Sequence, residues 1–237
     1  MATPSPPTLV FLVRHGTTPT TGAVLPGRTP GLHLSDKGKA QAASVGERLK
    51  SWMQPADQKA SPGGGANRRS KKTGGARRAA ISGVYSSPLE RTRETAAAIA
   101  SALGTSVRTE RGLLECDFGE WTGGSLKELS KRPEWTTVQR YPSGFRFPGG
   151  ESFTEMQTRI VQALHRICDR HPGEAVVAVS HADPIKAAVA DAVGTHLDLF
   201  QRIVISPCSV TAISYGTAGP AVLAVNSTGS LGELMPS

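Results

Sequence analysis

Two histidines stand where apolar stretches of strand length end, and both could take part in chemistry. Residues 9–13 (LVFLV) lead directly into Arg14 and His15, and only Ser180 separates residues 175–179 (AVVAV) from His181. Strands buried on both faces are continuous apolar runs, and ligands bind beyond the carboxyl ends of parallel strands. We therefore expect both histidines to reach one pocket at the edge of a sheet.

A second arginine can join this pocket. A helix is expected to open at Ser87-Pro88, with proline in its first turn, and Arg91 lies one turn further along. Helix N-termini favour anions through free N–H groups and the macrodipole. The planar guanidinium groups of Arg14 and Arg91 also match phosphate in a bidentate manner. These residue types therefore predict a phosphate-binding pocket.

An acid that could exchange protons in this pocket lies in an apolar-rich loop. Glu115 stands between Leu114 and Cys116, which favours a raised pKa, and Asp117 and Glu120 are the alternatives. Four further histidines do not directly follow a strand, and we expect structural or surface positions for them: His33, His165, His171 and His196.

The elements that must position these residues alternate between strand and helix patterns. This order predicts an α/β fold, a three-layer α/β/α sandwich with a mostly parallel sheet. Strands are expected near residues 8–13, 81–86, 107, 175–179, 209–215 and 221–225, and longer helices near 36–53, 87–103, 153–170 and 184–193.

Several helices carry recognisable starting signals. Ser35 can cap the first helix, and Ser125 with Glu128 and Ser152 with Glu155 have the spacing of capping boxes. The first helix is expected to bury Ala40, Ala43, Leu49 and Trp52.

The domain organisation follows from composition. Of the 237 residues, 8–230 are expected to form a single domain, between a disordered Pro-rich N-terminus at 1–7 and a C-terminal tail at 231–237. Residues 54–80 lack aromatic and branched aliphatic side chains, which predicts a disordered insertion. Residues 116–151 are expected to include a lid segment over the pocket.

Charge and cysteine content narrow the function classes. The insertion 54–80 carries +6 of the formal net charge of +8, so the rest of the chain is nearly neutral. We do not expect a nucleic-acid partner, and this basic insertion is the only candidate for binding one. Three cysteines without CxxC spacing indicate neither a disulfide framework nor a zinc site. The longest apolar runs are too short to span a bilayer, so we expect a soluble, cytoplasmic protein with no membrane partner.

Four blocks together resemble, in order, the signatures of the histidine phosphatase (phosphoglycerate mutase-like) superfamily. The first, Arg14-His15-Gly16-Thr17-Thr18, fits the RHGxT motif. The others are residues 87–96 (SPLERTRETA), residues 114–121 (LECDFGEW) and Ser180-His181. Within the superfamily, the stretches GRTPG, ECDFGEWTG, FPGGES and HLDLFQRI are similar to an actinobacterial group called probable phosphomutases.

The resemblance implies a phosphoglycerate mutase-like fold and assigns roles to five residues. His15 would be the nucleophile that forms a phosphohistidine, in the tautomer that a backbone carbonyl fixes. Arg14, Arg91 and His181 would stabilise the charge on the phosphoryl oxygens, and Glu115 would protonate the leaving oxygen. Neither a metal nor another cofactor is implied.

The substrate-binding residues that the resemblance implies are Arg14, Thr21, Gly27, Arg28, Arg91, His181 and Ala182. Three positions depart from the family pattern: Thr21 replaces a common asparagine, Ala182 a common glycine and Thr122 a common glutamate. No adjacent arginine pair occurs in residues 116–150, which favours a phosphatase over a glycolytic mutase.

We therefore expect a metal-independent phosphomonoesterase whose partner is a small-molecule phosphate ester. A phosphomutase of the same superfamily is the first alternative. A binding module for phospho-ligands or nucleic acid, using the insertion 54–80, is the second. Nothing in the sequence indicates the oligomeric state.

Overall fold

The computed structural model describes residues 6–54, 80–231 and 234. Except for its two end residues, the predicted insertion 54–80 lies outside the described residues, as do most of the predicted terminal segments 1–7 and 231–237. Within the described ranges, no helix combines the length and the apolar character that crossing a bilayer requires.

The described residues form six strands and six α-helices that alternate along most of the chain. In chain order they are β1 (Thr8–Arg14), α1 (Asp36–Met53), β2 (Ile81–Ser86), α2 (Glu90–Leu103), β3 (Val107–Thr109), α3 (Leu126–Leu129), α4 (Trp135–Arg140), α5 (Phe153–Arg170), β4 (Ala175–Ser180), α6 (Ala182–Ala192), β5 (Val210–Gly216) and β6 (Gly219–Ser227).

The strands form a single mixed sheet in the order β3-β2-β4-β1-β5-β6. Strands β1 to β4 pair in parallel, and β5 runs antiparallel to both of its neighbours, so the predicted mostly parallel sheet is confirmed. The pairing of β1 with β4 ends with Arg14 opposite Ser180. This register brings the next residues, His15 and His181, side by side at the carboxyl ends of two central strands.

Both faces of the sheet are covered by helices, as β1 illustrates. Val10 and Leu12 pack into one core with the buried sides of α5 and α6, whereas Leu9, Phe11 and Val13 pack into another with α1 and α2. All five side chains are buried, and each such burial typically contributes about 1.5–3 kcal/mol. The predicted three-layer α/β/α sandwich is therefore confirmed.

The first helix begins as predicted but buries a different side. The Ser35 hydroxyl accepts a hydrogen bond from Gly38 N at 3.1 Å and caps α1, yet Ala40 and Ala43 are exposed. A Cβ on Gly38 would lie 2.1 Å from Thr17 O, and this close approach sets the rotation of the helix. The buried residues of α1 are Gly38, Ala42, Val45, Gly46, Leu49 and Trp52.

Tertiary contacts also change two other predicted helix starts. Helix α2 begins at Glu90 rather than at Ser87-Pro88, because Ser87 N donates to Val179 O of the sheet at 3.0 Å. The Ser125 side chain makes no capping bond to α3, and its backbone instead forms an isolated bridge with Val24.

The helix start predicted at Ser152 is also confirmed. The capping box between Ser152 and Glu155 is present at the start of α5. Helix α4, in contrast, had no counterpart among the predicted helices.

Candidate active site

His15 and His181 lie at the carboxyl ends of β1 and β4, with ring centroids 5.2 Å apart and both rings buried. His15 directly follows β1, and His181 is the N-cap of α6. The structure therefore brings together the two histidines that the sequence pattern placed in one pocket.

His15 is held neutral, with one defined nitrogen free to react. Its Nδ1 lies 2.8 Å from Gly16 O, so Nδ1 carries the proton and Nε2 keeps its lone pair. Burial, with a smaller contribution from the Arg91 charge, lowers the pKa of His15 to about 3. A side chain at Gly16 is excluded, because a Cβ there would lie 2.5 Å from Gly38 O.

Arg91 brings a fully buried guanidinium to the site from the first turn of α2. One of its terminal nitrogens donates to Gly27 O at 2.7 Å. Its Nε and its other terminal nitrogen have no hydrogen-bond partner among the described residues. Burial lowers the pKa of Arg91, and the negative charge of Glu115 is the strongest influence that raises it again.

Arg14 reaches the site from the end of β1, and part of its hydrogen-bonding capacity is likewise without a partner among the described residues. One terminal nitrogen donates to Ile205 O at 2.7 Å, while Nε has no hydrogen-bond partner within the described ranges. Burial lowers its pKa too. Arg91 is fully buried and Arg14 partly buried, and a buried cation without a counterion is costly, so the two arginines together favour binding of an anion.

His181 offers a further polar atom to the same space. Its Nε2 lies 3.0 Å from the Ser87 hydroxyl, whereas Nδ1 makes no hydrogen bond to any described residue and lies 3.9 Å from Glu115 Oε2. Burial, followed by the Arg91 charge, lowers the pKa of His181 well below its usual range. His181 is therefore neutral at physiological pH.

Glu115 is the one of the three candidate acids that is buried beside the histidines. Its Oε1 accepts a hydrogen bond from Cys116 N at 3.0 Å. Burial, and then the negative charge of Asp183, raise the pKa of Glu115 to about 7. Asp117 instead forms an ion pair with Arg28, and Glu120 is exposed.

The predicted substrate-binding residues of the first loop have definite protein contacts. Gly27, in the left-handed conformation at φ +52°, presents its carbonyl to Arg91. The Thr21 hydroxyl accepts a hydrogen bond from Thr18 N at 2.8 Å.

The remaining predicted binding residues are Arg28 and Ala182. Arg28 donates from Nε to Glu115 O at 2.9 Å and forms ion pairs with Asp117 and Glu151. Ala182 is the first residue of α6, directly after His181. Substrate contact by these residues stays a prediction.

Sequence reasoning missed the partners that tune and hold the site. The sequence pattern gives Asp183 no role although it lies two residues after His181, and it indicates only a helix start at Ser87. Glu151 and Arg159 form a bidentate ion pair beside the Glu115 backbone. The only sequence feature that pointed to any of these residues is that Glu151 lies within FPGGES, one of the stretches shared with the similar group.

A cavity of about 290 Å³ lies next to Asp183. Its lining is largely apolar and aromatic, with a polar corner at Asp183, Lys186 and Gln201. The Lys186 ammonium donates to the side chains of Asp183 and Gln201, each at 3.1 Å. A larger cavity of about 560 Å³ lies beside Thr8, at the opposite end of β1 from the histidines.

The fold and the site place two neutral histidines and two arginines together beyond the carboxyl ends of a parallel sheet. The model of the histidine phosphatase superfamily (branch 1) matches residues 10–64 and 65–228. The chain belongs to this superfamily, and the resemblance noted from the sequence is confirmed.

Curated relatives carry several different names. Bifunctional protein Rv2228c of Mycobacterium tuberculosis is 35% identical over 158 residues, which are 66% of this chain and 43% of that protein. The chain thus spans less than half the length of that relative. Phosphoserine phosphatase 1 of Hydrogenobacter thermophilus is 32% identical over 160 residues, 63% of this chain and 72% of that protein.

Solved structures share the fold over almost the whole chain. Phosphoserine phosphatase of Entamoeba histolytica, as a variant in complex with phosphoserine, has a TM-score of 0.75 at 23% identity and covers 94% of this chain and 99% of its own. Mycobacterial glucosyl-3-phosphoglycerate phosphatase Rv2419c has a TM-score of 0.73 at 20% identity and covers 93% and 99%. At these identities the likeness concerns the fold.

Proposed function

We propose that this protein is a phosphomonoesterase that acts on a small phosphorylated metabolite through a phosphohistidine intermediate. One observation carries the proposal. Buried N–H groups of Arg14, Arg91 and His181 surround the neutral ring of His15 without hydrogen-bond partners among the described residues. A phosphoryl group supplies both the negative charge and the acceptor oxygens that such donors require.

In the first step, His15 Nε2 attacks phosphorus and the ester P–O bond breaks. Arg14 and Arg91 stabilise the charge on the equatorial oxygens. With the Ser87 hydroxyl donating to Nε2 of His181, the ring proton of His181 lies on Nδ1 and donates to the same phosphoryl group.

Glu115 supplies the proton that the leaving alkoxide takes. A pKa near 7 keeps a useful fraction of this carboxyl group protonated at neutral pH. In the second step, water attacks the phosphorus of the phosphohistidine while the Glu115 carboxylate accepts a proton from that water. The P–N bond breaks, its electron pair returns to His15 Nε2, and inorganic phosphate is released. The side chains of the pocket supply the charge neutralisation in both steps, so we propose metal-independent catalysis.

The alcohol part of the ester is proposed to lie in the cavity beside Asp183. Thr21, Gly27, Arg28 and Ala182 are proposed to border the substrate. The proposal includes a cytoplasmic location.

The test is hydrolysis of p-nitrophenyl phosphate in excess chelator, combined with labelling of the phosphoenzyme. We expect turnover and an acid-labile phosphoenzyme, both abolished in His15→Ala. The matched control is His196→Ala, whose ring is 68% exposed and should be dispensable. A phosphoenzyme that persists in His15→Ala would show that another residue is the nucleophile. Loss of activity in the presence of chelator would contradict metal independence.

The same assay separates the alternatives. A phosphomutase would pass the phosphoryl group to an added acceptor alcohol in preference to water. A binding module would retain inorganic phosphate without any turnover.

A further inference from the structure

The carboxylate of Glu151 joins three parts of the chain. It accepts from Nε of Arg159 at 2.8 Å and from a terminal nitrogen of the same side chain at 2.9 Å, a bidentate pair. It also accepts from a terminal nitrogen of Arg28 at 3.0 Å and from Asp117 N at 3.2 Å. Its side chain is only 13% exposed, so these contacts are well shielded from water.

Both arginines that Glu151 binds also hold the backbone at Glu115. Nε of Arg28 donates to Glu115 O at 2.9 Å, and Arg159 donates to the same oxygen at 3.3 Å. Arg159 further donates to the carbonyl oxygens of Gly112 and Leu114 at 2.8 and 2.9 Å. The peptide that carries the acid of the site is thus fixed by guanidinium groups on two sides.

The segment after Glu115 is held just as closely to the turn that carries Glu151. Glu151 N donates to Asp117 O at 2.8 Å. A Cβ on Gly150 would lie 2.4 Å from Asp117 O, and a Cβ on Gly119 would lie 2.1 Å from Pro148 O. These two backbone segments therefore approach each other at a distance that only glycine permits.

We propose that Glu151 is a positioning residue for Glu115, acting through Arg28 and Arg159. The inference rests on the proposed function, since it concerns the residue that delivers the proton to the leaving oxygen. Without the Glu151 carboxylate, both guanidinium groups lose their shared counter-charge, and the Glu115 backbone loses its fixed anchors. Misplacement of a reacting group by about 1 Å can cost on the order of a hundredfold in rate.

The test compares two substrates of nearly equal shape. Phenyl phosphate needs a proton on its leaving oxygen, whereas p-nitrophenyl phosphate releases a stable anion and does not. Glu151→Gln should lower kcat/KM for phenyl phosphate by about a hundredfold. The loss for p-nitrophenyl phosphate should be smaller by a factor of about ten or more. A residue that merely supports the fold would lower both values equally.

The matched control is Glu128→Gln, which breaks the exposed ion pair with Lys131 and should leave both values unchanged. Glu151→Asp restores the charge at a shorter reach and should recover part of the selective loss. Arg28→Gln leaves the pair of Glu151 with Arg159 intact and provides a second test should Glu151→Gln fail to fold. We expect the same selectivity in Arg28→Gln, with a smaller loss.

Equal losses for the two substrates, or no loss, would overturn the inference. Failure of both Glu151→Gln and Arg28→Gln to fold would also overturn it, because the cluster would then be structural. An inactive wild-type protein would contradict the proposed function instead. An active wild type with an inactive His15→Ala and an unselective Glu151→Gln would contradict the positioning role alone.

Discussion

Two pairs of arginines lie close to Glu115, and they differ in what they bind. Arg28 and Arg159 bind the carboxylate of Glu151 and the carbonyl oxygen of Glu115. Arg14 and Arg91 each make one hydrogen bond to a backbone carbonyl, and neither forms an ion pair among the described residues. The first pair is satisfied by the protein, and the second is not.

This difference teaches how a phosphate site is recognised without its ligand. A guanidinium whose donors all have protein acceptors contributes to stability and needs no ligand to balance its charge. A buried guanidinium with free N–H groups costs free energy in the absence of an anion and recovers it on binding one. Glu115 lies between the pairs, its backbone held by the first and its carboxyl group facing the second.

The largest expected effect comes from the unsatisfied pair. Arg91→Met should lower kcat/KM for p-nitrophenyl phosphate by about a hundredfold to a thousandfold, because a preorganised donor is lost. The midpoint of thermal unfolding in phosphate-free buffer should not fall, since an uncompensated buried charge is removed as well.

The control for Arg91→Met is Arg93→Met on the exposed side of α2. Arg93→Met should change neither the rate nor the midpoint. A clear loss of stability in Arg91→Met would show that Arg91, like the satisfied pair, stabilises the fold.

The satisfied pair should respond in the opposite way. Arg159→Met leaves the Glu151 carboxylate and the carbonyl oxygens around Leu114 without their donor, so the free energy of unfolding should fall by about 2–3 kcal/mol. Urea denaturation measures this change. Arg166→Met, on the same helix but in an exposed ion pair with Glu110, should cost less than about 1 kcal/mol. If both variants lost the same free energy of unfolding, Arg159 would contribute no more to stability than an ordinary surface arginine, and the difference between the two pairs would not hold.

The smallest effect concerns the acid between the pairs. With its pKa raised to about 7, Glu115 is protonated below that pH and loses its proton above it. For phenyl phosphate, kcat/KM should therefore fall about tenfold per pH unit above pH 7. The alkaline limb should disappear in Glu115→Gln, on top of a general loss of rate. A limb that survives in Glu115→Gln would belong to another group.

The sequence predicted the sheet and the positions of both histidines, because apolar runs of strand length end abruptly at Arg14 and before His181. It also predicted α5, where strong apolar periodicity follows a capping box. The buried side of α1 was predicted wrongly at Ala40 and Ala43. Alanine carries little apolar surface, so it indicates only weakly which side of a helix is buried. The contact of Gly38 with Thr17 sets the rotation of α1, and it is a tertiary contact that the local sequence does not show.

The site was predictable only as far as local patterns reach. Glu115, Asp117 and Glu120 are three acids within six residues, and only burial from distant segments separates them. Similarly, Arg28 and Arg91 are the same residue type, and the partner of Arg28 is 123 residues away in sequence. The sequence does not show that Arg28 binds Glu151, because that contact depends on the tertiary fold.

The central placement of β1 and β4 has a consequence for local unfolding. His15 N donates to Ser180 O at 3.0 Å, so His15 continues the ladder between two strands that have neighbours on both sides. Core strands open only at free energies close to that of global unfolding, whereas surface segments open at much lower cost. Local opening of surface segments can therefore leave the separation of the two histidines unchanged.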